Sequence, residues 1–244
     1  MQINIFSTPP AADIFRRTEL LLGEAAMAKL ANARVAVFGV GGVGGWCAEA
    51  LVRSGIGHLL IVDDDKVCPS NINRQLPATT RTLNRLKVAA LSDHLLEINP
   101  DLDLAVRAER YTPENAATFK LPPLVVDAID SVVCKAHLIR HATQLDGVEL
   151  FSSMGAACRL DPSRIQATPF KKVAGDGLAR ALRQRFKKDT AFPAHEFTCV
   201  WSDEPPMNRG IRREADGTAN GSWMPVTAAF GLRLAALVLT AASA

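Results

Sequence analysis

Between residues 34 and 155, short apolar runs alternate with stretches whose apolar residues recur every three or four positions. The runs are too short to be helices and are bounded by Gly, Pro, Asp and Asn, which predicts buried strands. They are residues 34–39, "HLLIVD" (58–63), "LDLAVRAER" (102–110), "PPLVVDAID" (122–130) and "GVELFSSMG" (147–155). The intervening stretches 44–54, 84–98 and 132–145 carry a helical period, the second stopped by Asn99-Pro100. Upstream, "DIFRRTELLLGEAAMAKLANA" (13–33) reads as helical with Asp13 as its N-cap, and residues 1–12 read as a flexible tail. Strand alternating with helix predicts an α/β fold, a doubly wound, mainly parallel sheet with helices on both faces.

The pattern weakens after residue 155. Residues 158–222 are first basic, then rich in Pro and Gly. They are predicted to be a C-terminal insertion that faces substrate and covers the active-site edge of the sheet. The chain closes on "MPVTAAFGLRLAALVLTAASA", apolar throughout but interrupted by Arg233. After Pro225 it falls short of the ~20 residues a membrane span needs. Residues 223–244 are therefore predicted to be a helix buried in the core or in a dimer interface, and residues 13–244 a single domain.

The chemistry gathers behind the first strand. Gly39-Val40-Gly41-Gly42-Val43-Gly44 fits G-x-G-x-x-G, placed between a predicted strand and a predicted helix. Glycines there permit a tight turn and close backbone approach to a phosphate held at a helix N-terminus. Asp63 ends the second strand, 24 residues after Gly39, where an acid meets ribose hydroxyls. The fold is thus Rossmann-like, and the site takes a nucleotide. The loop alone does not separate NAD from ATP. Arg74 in "NINRQ", and Lys87 on the next helix, favour ATP, because a triphosphate needs cationic donors beyond the helix terminus. Asp130 is placed at the end of the fourth strand, where a carboxylate can hold Mg2+ against phosphate oxygens. Asp127, within that strand, suits a structural role better.

Composition narrows the classes. The hydrophobic fraction of 48% supports a large core, and a net charge of +3 leaves nucleic-acid contact to a local patch. The five cysteines, Cys47, Cys68, Cys134, Cys158 and Cys199, include no C-x-x-C, which disfavours a disulfide framework and a four-cysteine zinc site. His137 and His141 are spaced like a zinc pair but lack a third ligand. The first residues do not read as a signal peptide, so a cytoplasmic protein with no membrane partner is expected.

The stretch "RVAVFGVGGVGGWCAEALVRSGIGHLLIVDDDKVCPSNINRQ" resembles the ubiquitin-activating-enzyme superfamily, whose bacterial members include ThiF, MoeB and HesA. "RRTELLLG", "VVDAIDSV", "SSMGAACRLDPSRIQ" and "CVWSDE" resemble the branch that dehydrates threonylcarbamoyladenosine in tRNA. The resemblance runs over residues 13–202. It implies ATP-dependent adenylation of a carboxylate, here the threonyl carboxylate at tRNA position 37, followed by cyclisation with release of AMP. Gly39, Gly41, Gly42 and Gly44 match the family's phosphate loop, Asp63 its ribose ligand, and Asn71, Arg74 and Lys87 its polyphosphate contacts. Asp130 matches its magnesium-binding aspartate, and Arg17 an arginine supplied across a homodimer. Cys199 aligns with a branch cysteine, although an intramolecular dehydration needs no enzyme thiol. The resemblance also brings in a monovalent cation (Na+ or K+) and a cysteine desulfurase or other sulfur-acceptor system as candidates.

Three features depart from the family. "LNRLK" before Lys87 stands where relatives often have a Gly and a small residue or proline, the paired C-x-x-C zinc motif of the ThiF and MoeB branches is missing, and the tail after residue 203 is short and matches poorly. The rivals are adenylation of a ubiquitin-like sulfur carrier, an NAD-dependent oxidoreductase and a non-catalytic RNA-binding protein. With tRNA as the expected partner, the nine Lys and Arg between Arg159 and Lys188, against two Asp, become the expected contact patch. "GLARALRQRFKK" is helix-compatible and sets Arg180, Arg183 and Lys187 on one side, with Arg185 close by.

Overall fold

A computed structural model of the chain describes residues 11–210 and 220–244. Among them, seven strands form one sheet in the order β3-β2-β1-β4-β5-β7-β6. These are β1 (Arg34–Phe38), β2 (His58–Val62), β3 (Asp103–Arg107), β4 (Leu124–Asp127), β5 (Glu149–Ser153), β6 (Ile165–Pro169) and β7 (Thr198–Ser202). Neighbouring strands are parallel except for β6, which runs antiparallel to β7 at the edge. The chain winds outward from β1 through β2 to β3, then returns to the other side of β1 as β4. The strand order therefore reverses between β1 and β4, where a crevice opens at the carboxyl ends of the strands.

The apolar runs are buried on both faces because their side chains alternate. Val35 and Val37 of β1 join one core, and Ala36 and Phe38 the other. The first core is covered by α3 (Glu24–Asn32), α4 (Gly44–Arg53), α5 (Lys87–Ile98) and α8 (Met224–Ser243). The second is covered by α6 (Val132–Thr143) and α7 (Gly177–Asp189). The closing helix α8 is long and apolar enough to cross a membrane by length and composition. It instead lies on α4 at very close range. A Cβ on Gly231 would stand 2.4 Å from the Val43 carbonyl and 2.8 Å from Trp46 Cβ. Phe230, Leu234 and Val238 are fully buried by this packing.

Several expectations change. Ala11 and Ala12 belong to a short helix α1 (Ala11–Ile14), so the tail reading extends two residues too far, and residues 1–10 lie outside the described residues. Asp13 sits inside α1 and is not an N-cap. The helical stretch then divides into α2 (Arg16–Leu22) and α3 around Gly23, whose φ of 84° is in the left-handed region that glycine tolerates. The helix expected from residue 84 begins at Lys87. Asn84 has φ 66°, Val67 N–H donates to Arg85 O, and the chain pairs Lys66 with Leu86 before turning helical. The fourth strand ends at Asp127, three residues before Asp130.

The largest difference concerns 158–222, of which 211–219 lie outside the described residues. The described part is not an insertion laid over the sheet edge. It supplies β6, α7 and β7, and β7 hydrogen-bonds directly to β5. In "TCVWS" four of five residues are buried, an apolar run hidden in sequence by its basic and Pro-rich surroundings. Asp176 caps α7 by accepting from Ala179 N–H at 2.9 Å and also pairs with Arg159 at 2.9 Å, both side chains being buried.

Candidate active site

The crevice at the β1–β4 reversal holds a cavity of about 340 Å³. Gly39, Gly41 and Gly42 line it, as do Asp63, Arg74, Lys87 and Asp130. Of the glycines, two serve the loop's own geometry. Gly39 has φ 85°, and a Cβ there would stand 2.7 Å from Ala128 O. A Cβ on Gly44 would lie 1.8 Å from Gly39 O, far inside van der Waals contact. Gly41 leaves room for a Cβ, a Cβ on Gly42 would press only on the flexible Arg74 stem, and both face the cavity, so their lack of a side chain leaves the backbone open to a ligand. The loop runs into α4, whose N-cap Val43 offers no side-chain acceptor to the first-turn N–H groups. Those donors suit an anion.

Asp63 builds the loop as well as facing the cavity. Its Oδ2 accepts Val40 N–H at 2.8 Å and its Oδ1 accepts Asp65 N–H at 2.9 Å. A carboxylate keeps further lone pairs for hydroxyl donors. Burial pushes its pKa above the ordinary value, against the pull of Lys87 and the two N–H donors. Lys87 is the buried first residue of α5, and its Nζ reaches Asp65 Oδ2 at 2.7 Å. The irregular turn at Asn84 thus sets the lysine at the cavity wall. Arg74 lies against Gly42, its stem 3.3 Å from where a Cβ would be, and donates from Nη1 to Ser70 O and Asn73 Oδ1. Its backbone carbonyl accepts from Trp46 Nε1 at 3.0 Å, which ties this segment to α4.

Asp130 is exposed on the cavity wall, in the turn after β4. Asp127, by contrast, is fully buried and pairs with the equally buried Lys135 at 2.9 Å. Ser152 Oγ and Ile129 N–H also donate to it. Burial raises the Asp127 pKa while these contacts oppose the push. Lys135 Nζ additionally donates to the carbonyls of Asp127 and Ile129, so the pair holds the turn that carries Asp130.

Asn71 and Arg17 do not line this cavity among the described residues. Asn71 is buried and its Oδ1 accepts Cys68 N–H, fixing a short 3-10 turn. Arg17 is exposed on α2. Gln75, in the quoted "NINRQ" stretch, was not singled out as a site residue. It lines the cavity beside Gly41, and its buried Oε1 has no hydrogen-bond partner. A buried unpaired acceptor is costly, so it marks a place for a donor. Asp63, Asp64 and Asp65 bring carboxylate oxygens within 4.8 Å of one another, although Asp64 and Asp65 are exposed and paired with Arg110 and Lys87.

The expected basic patch is dispersed. Arg159 is buried on Asp176, Arg164 pairs with Asp203 and Lys171 with Glu196. Arg183 donates to the carbonyls of Phe170 and Val173, and Arg185 binds Asp189 at 2.7 Å. Arg180 and Lys187 remain exposed. Cys199 is buried, and burial pushes its thiol well above the ordinary range, away from a nucleophile. His137 and His141 meet one group, the Tyr111 hydroxyl, at 3.0 and 2.9 Å.

The chain matches the ThiF family over residues 15–243. It belongs to that family. It is 37% identical over 204 residues to the tRNA threonylcarbamoyladenosine dehydratase of Bacillus subtilis, covering 82% of this chain and 79% of that one. It is 36% identical over 217 residues to the Escherichia coli dehydratase, covering 85% and 81%. The crystal structure of the Escherichia coli dehydratase, TcdA, in complex with ATP superposes with a TM-score of 0.87 at 33% identity, covering 98% of this chain and 97% of that one. The Rossmann-like fold of this ThiF-family chain is shared with that structure.

Proposed function

We propose that the protein is an ATP-dependent tRNA threonylcarbamoyladenosine dehydratase. The observation that carries this reading is convergence. The glycine loop, Arg74, Lys87 and Asp130 come from four separate segments, yet all line one cavity at the strand-order reversal. The similarity to dehydratases over most of the chain supports the substrate, and the two cations beside the loop favour ATP over NAD.

The residues fit ATP. Gly41 and Gly42 offer backbone to the phosphates, Asp63 accepts from ribose, and Gln75 Oε1 awaits a donor. ATP supplies the adenylyl group that makes the threonyl carboxylate's oxygen a leaving group. Arg74 and Lys87 stabilise the negative charge that develops on phosphate oxygens. Asp130 would hold Mg2+. Ring closure within the same substrate is assisted by proximity and needs no thiol, in keeping with the burial of Cys199. Arg17 acts in the site of a second copy. It lies on α2 beside Leu20 and Leu21, which are 69% and 82% exposed, an apolar surface suited to a partner subunit.

The test is incubation with ATP and tRNA bearing threonylcarbamoyladenosine, followed by mass spectrometry of the nucleosides. The reading requires a product lighter by one water, with AMP and pyrophosphate formed. Lys87→Ala and Asp130→Ala should each slow it by about 10²-fold or more with the fold intact. Unchanged tRNA, or consumption of ATP only when a ubiquitin-like carrier is added, would refute it. Mixed Arg17→Ala and Lys87→Ala subunits should recover activity through hybrid dimers with one whole site.

A further inference from the structure

A second cavity, of about 420 Å³, lies between the C-terminal half of α7 and the chain that leads into β7. Its apolar surface is aromatic. Phe170 stacks on Phe197 with centroids 5.0 Å apart and planes at 19°, and Phe186 meets Phe170 edge-on at 6.1 Å. Phe192 stands at the mouth, 60% exposed. The Arg183 guanidinium already lies 4.9 Å over the Phe170 ring. The polar lining is Lys171, Arg183, Lys187, His195 and Glu196. Glu196 pairs with Lys171, and Arg183 and Lys187 leave the rim net positive.

We propose that this cavity binds an unpaired nucleobase of the RNA substrate, stacked on the exposed ring of Phe192 above the buried Phe170–Phe197 pair, with the neighbouring phosphate near Lys187. The proposal rests on the tRNA reading above and names a second contact for the same substrate. Flat aromatic rings with a cationic rim are the combination that takes bases from single-stranded segments, since every base has a face to stack. A neutral aliphatic peptide would not call for a positive rim. Leu178 of α7 lines the nucleotide cavity at the carboxyl ends of the parallel strands, and Lys187, nine residues on, lines this one beside the amino end of β7. At 1.5 Å per residue the two lie about 13 Å apart along α7, so a folded RNA that reaches the first cavity and follows this helix meets the second.

The experiment is equilibrium binding of a fluorescein-labelled RNA stem-loop and of a fully paired RNA duplex of equal length, at several salt concentrations. Phe192→Ala should weaken stem-loop binding by about tenfold, leave duplex binding and the salt slope unchanged, and leave ATP binding unchanged. Phe192→Trp should restore stem-loop affinity. Lys171→Ala with Lys187→Ala should flatten the slope for the stem-loop. Equal stem-loop affinity in wild type and Phe192→Ala overturns the proposal. So does a Phe192→Ala protein that sediments as a smaller species, because the cavity then seats a second copy of the chain. If the wild type converts modified tRNA while Phe192→Ala binds as well as wild type, only this proposal falls. If the wild type neither binds nor converts tRNA, the functional reading falls with it.

Discussion

Two regions of this molecule carry dense basic chemistry, and they use it differently. At the β1–β4 crevice, Lys87 is buried with Asp65 beside a loop whose backbone is open to an anion. Along α7 and its flanks there are more cations, but Arg159, Arg164, Arg183 and Arg185 are held by Asp176, Asp203, two backbone carbonyls and Asp189. The density of charge in a segment therefore says little about ligand binding. What matters is whether the fold provides the cation with an internal partner or a cavity. Arg183 keeps the floor of the aromatic cavity in place, and Lys87 lines the cavity of the crevice.

The largest effect should come from beneath the first region. Lys135→Met leaves Asp127 buried without its cation and should lower stability by about 3–5 kcal/mol in urea unfolding. Adding Asp127→Leu should recover much of that stability. A Lys135→Met protein as stable as wild type would mean that the turn carrying Asp130 is held by something else.

Next comes the contrast between the regions themselves. Lys87→Ala should reduce kcat by about 10²–10³-fold with little change in Tm. Arg185→Ala, an exchange of a half-exposed charge, should keep activity near wild type and cost less than about 1 kcal/mol. Comparable activity losses in the two variants would erase the distinction between ligand-facing and internally committed cations. A smaller effect is expected at Gln75. Gln75→Ala should raise KM for ATP by about three- to tenfold, read from initial rates at saturating tRNA, with kcat little altered. An unchanged KM would mean that its unpaired oxygen does not face the nucleotide.

The smallest effect concerns the Tyr111 wall of the cavity. Desolvation holds both His137 and His141 below the ordinary histidine pKa, with Arg140 adding to the effect on His137. The unfolded chain then binds more protons than the folded one between the folded pKa values and the ordinary histidine value of 6.5. Stability should be unaffected above that window and fall as pH drops through it. Replacing both histidines with Gln should flatten the acid side of a Tm–pH curve. An unchanged slope would show that neither titrates in folding.

The nucleotide region was legible because its signals are local. A strand, a glycine turn, a helix start and a strand-terminal acid follow one another within thirty residues, and each glycine answers to backbone sterics that act at short range. The β1–α4–β2 unit, Gly39, Asp63, Arg74 and Lys87 were all readable for that reason. The start of α5 was not, because Asn84 in the left-handed region and the pairing of Lys66 with Leu86 override a helical period that looked continuous. Nor was the place of Asp130, since strand ends depend on what the neighbouring strand offers. β4 stops at Asp127, where that carboxylate is taken by Lys135.

The amino-acid sequence by itself determined the layered α/β plan, the family and the main residues that line the crevice cavity. Short continuous apolar runs put apolar side chains on both faces of a strand, so both faces must be covered, and a glycine-rich turn leaves the backbone few other uses. Only the tertiary structure decided that "TCVWS" is a strand bonded to β5, that α8 lies on α4 through Gly231, and that four of the nine cations in the basic segment are taken by carboxylates and Arg183 by backbone carbonyls. Those outcomes depend on groups far apart in the chain meeting at distances below 4 Å. Neither hydrophobic period nor charge count encodes which distant residue will be there to meet them.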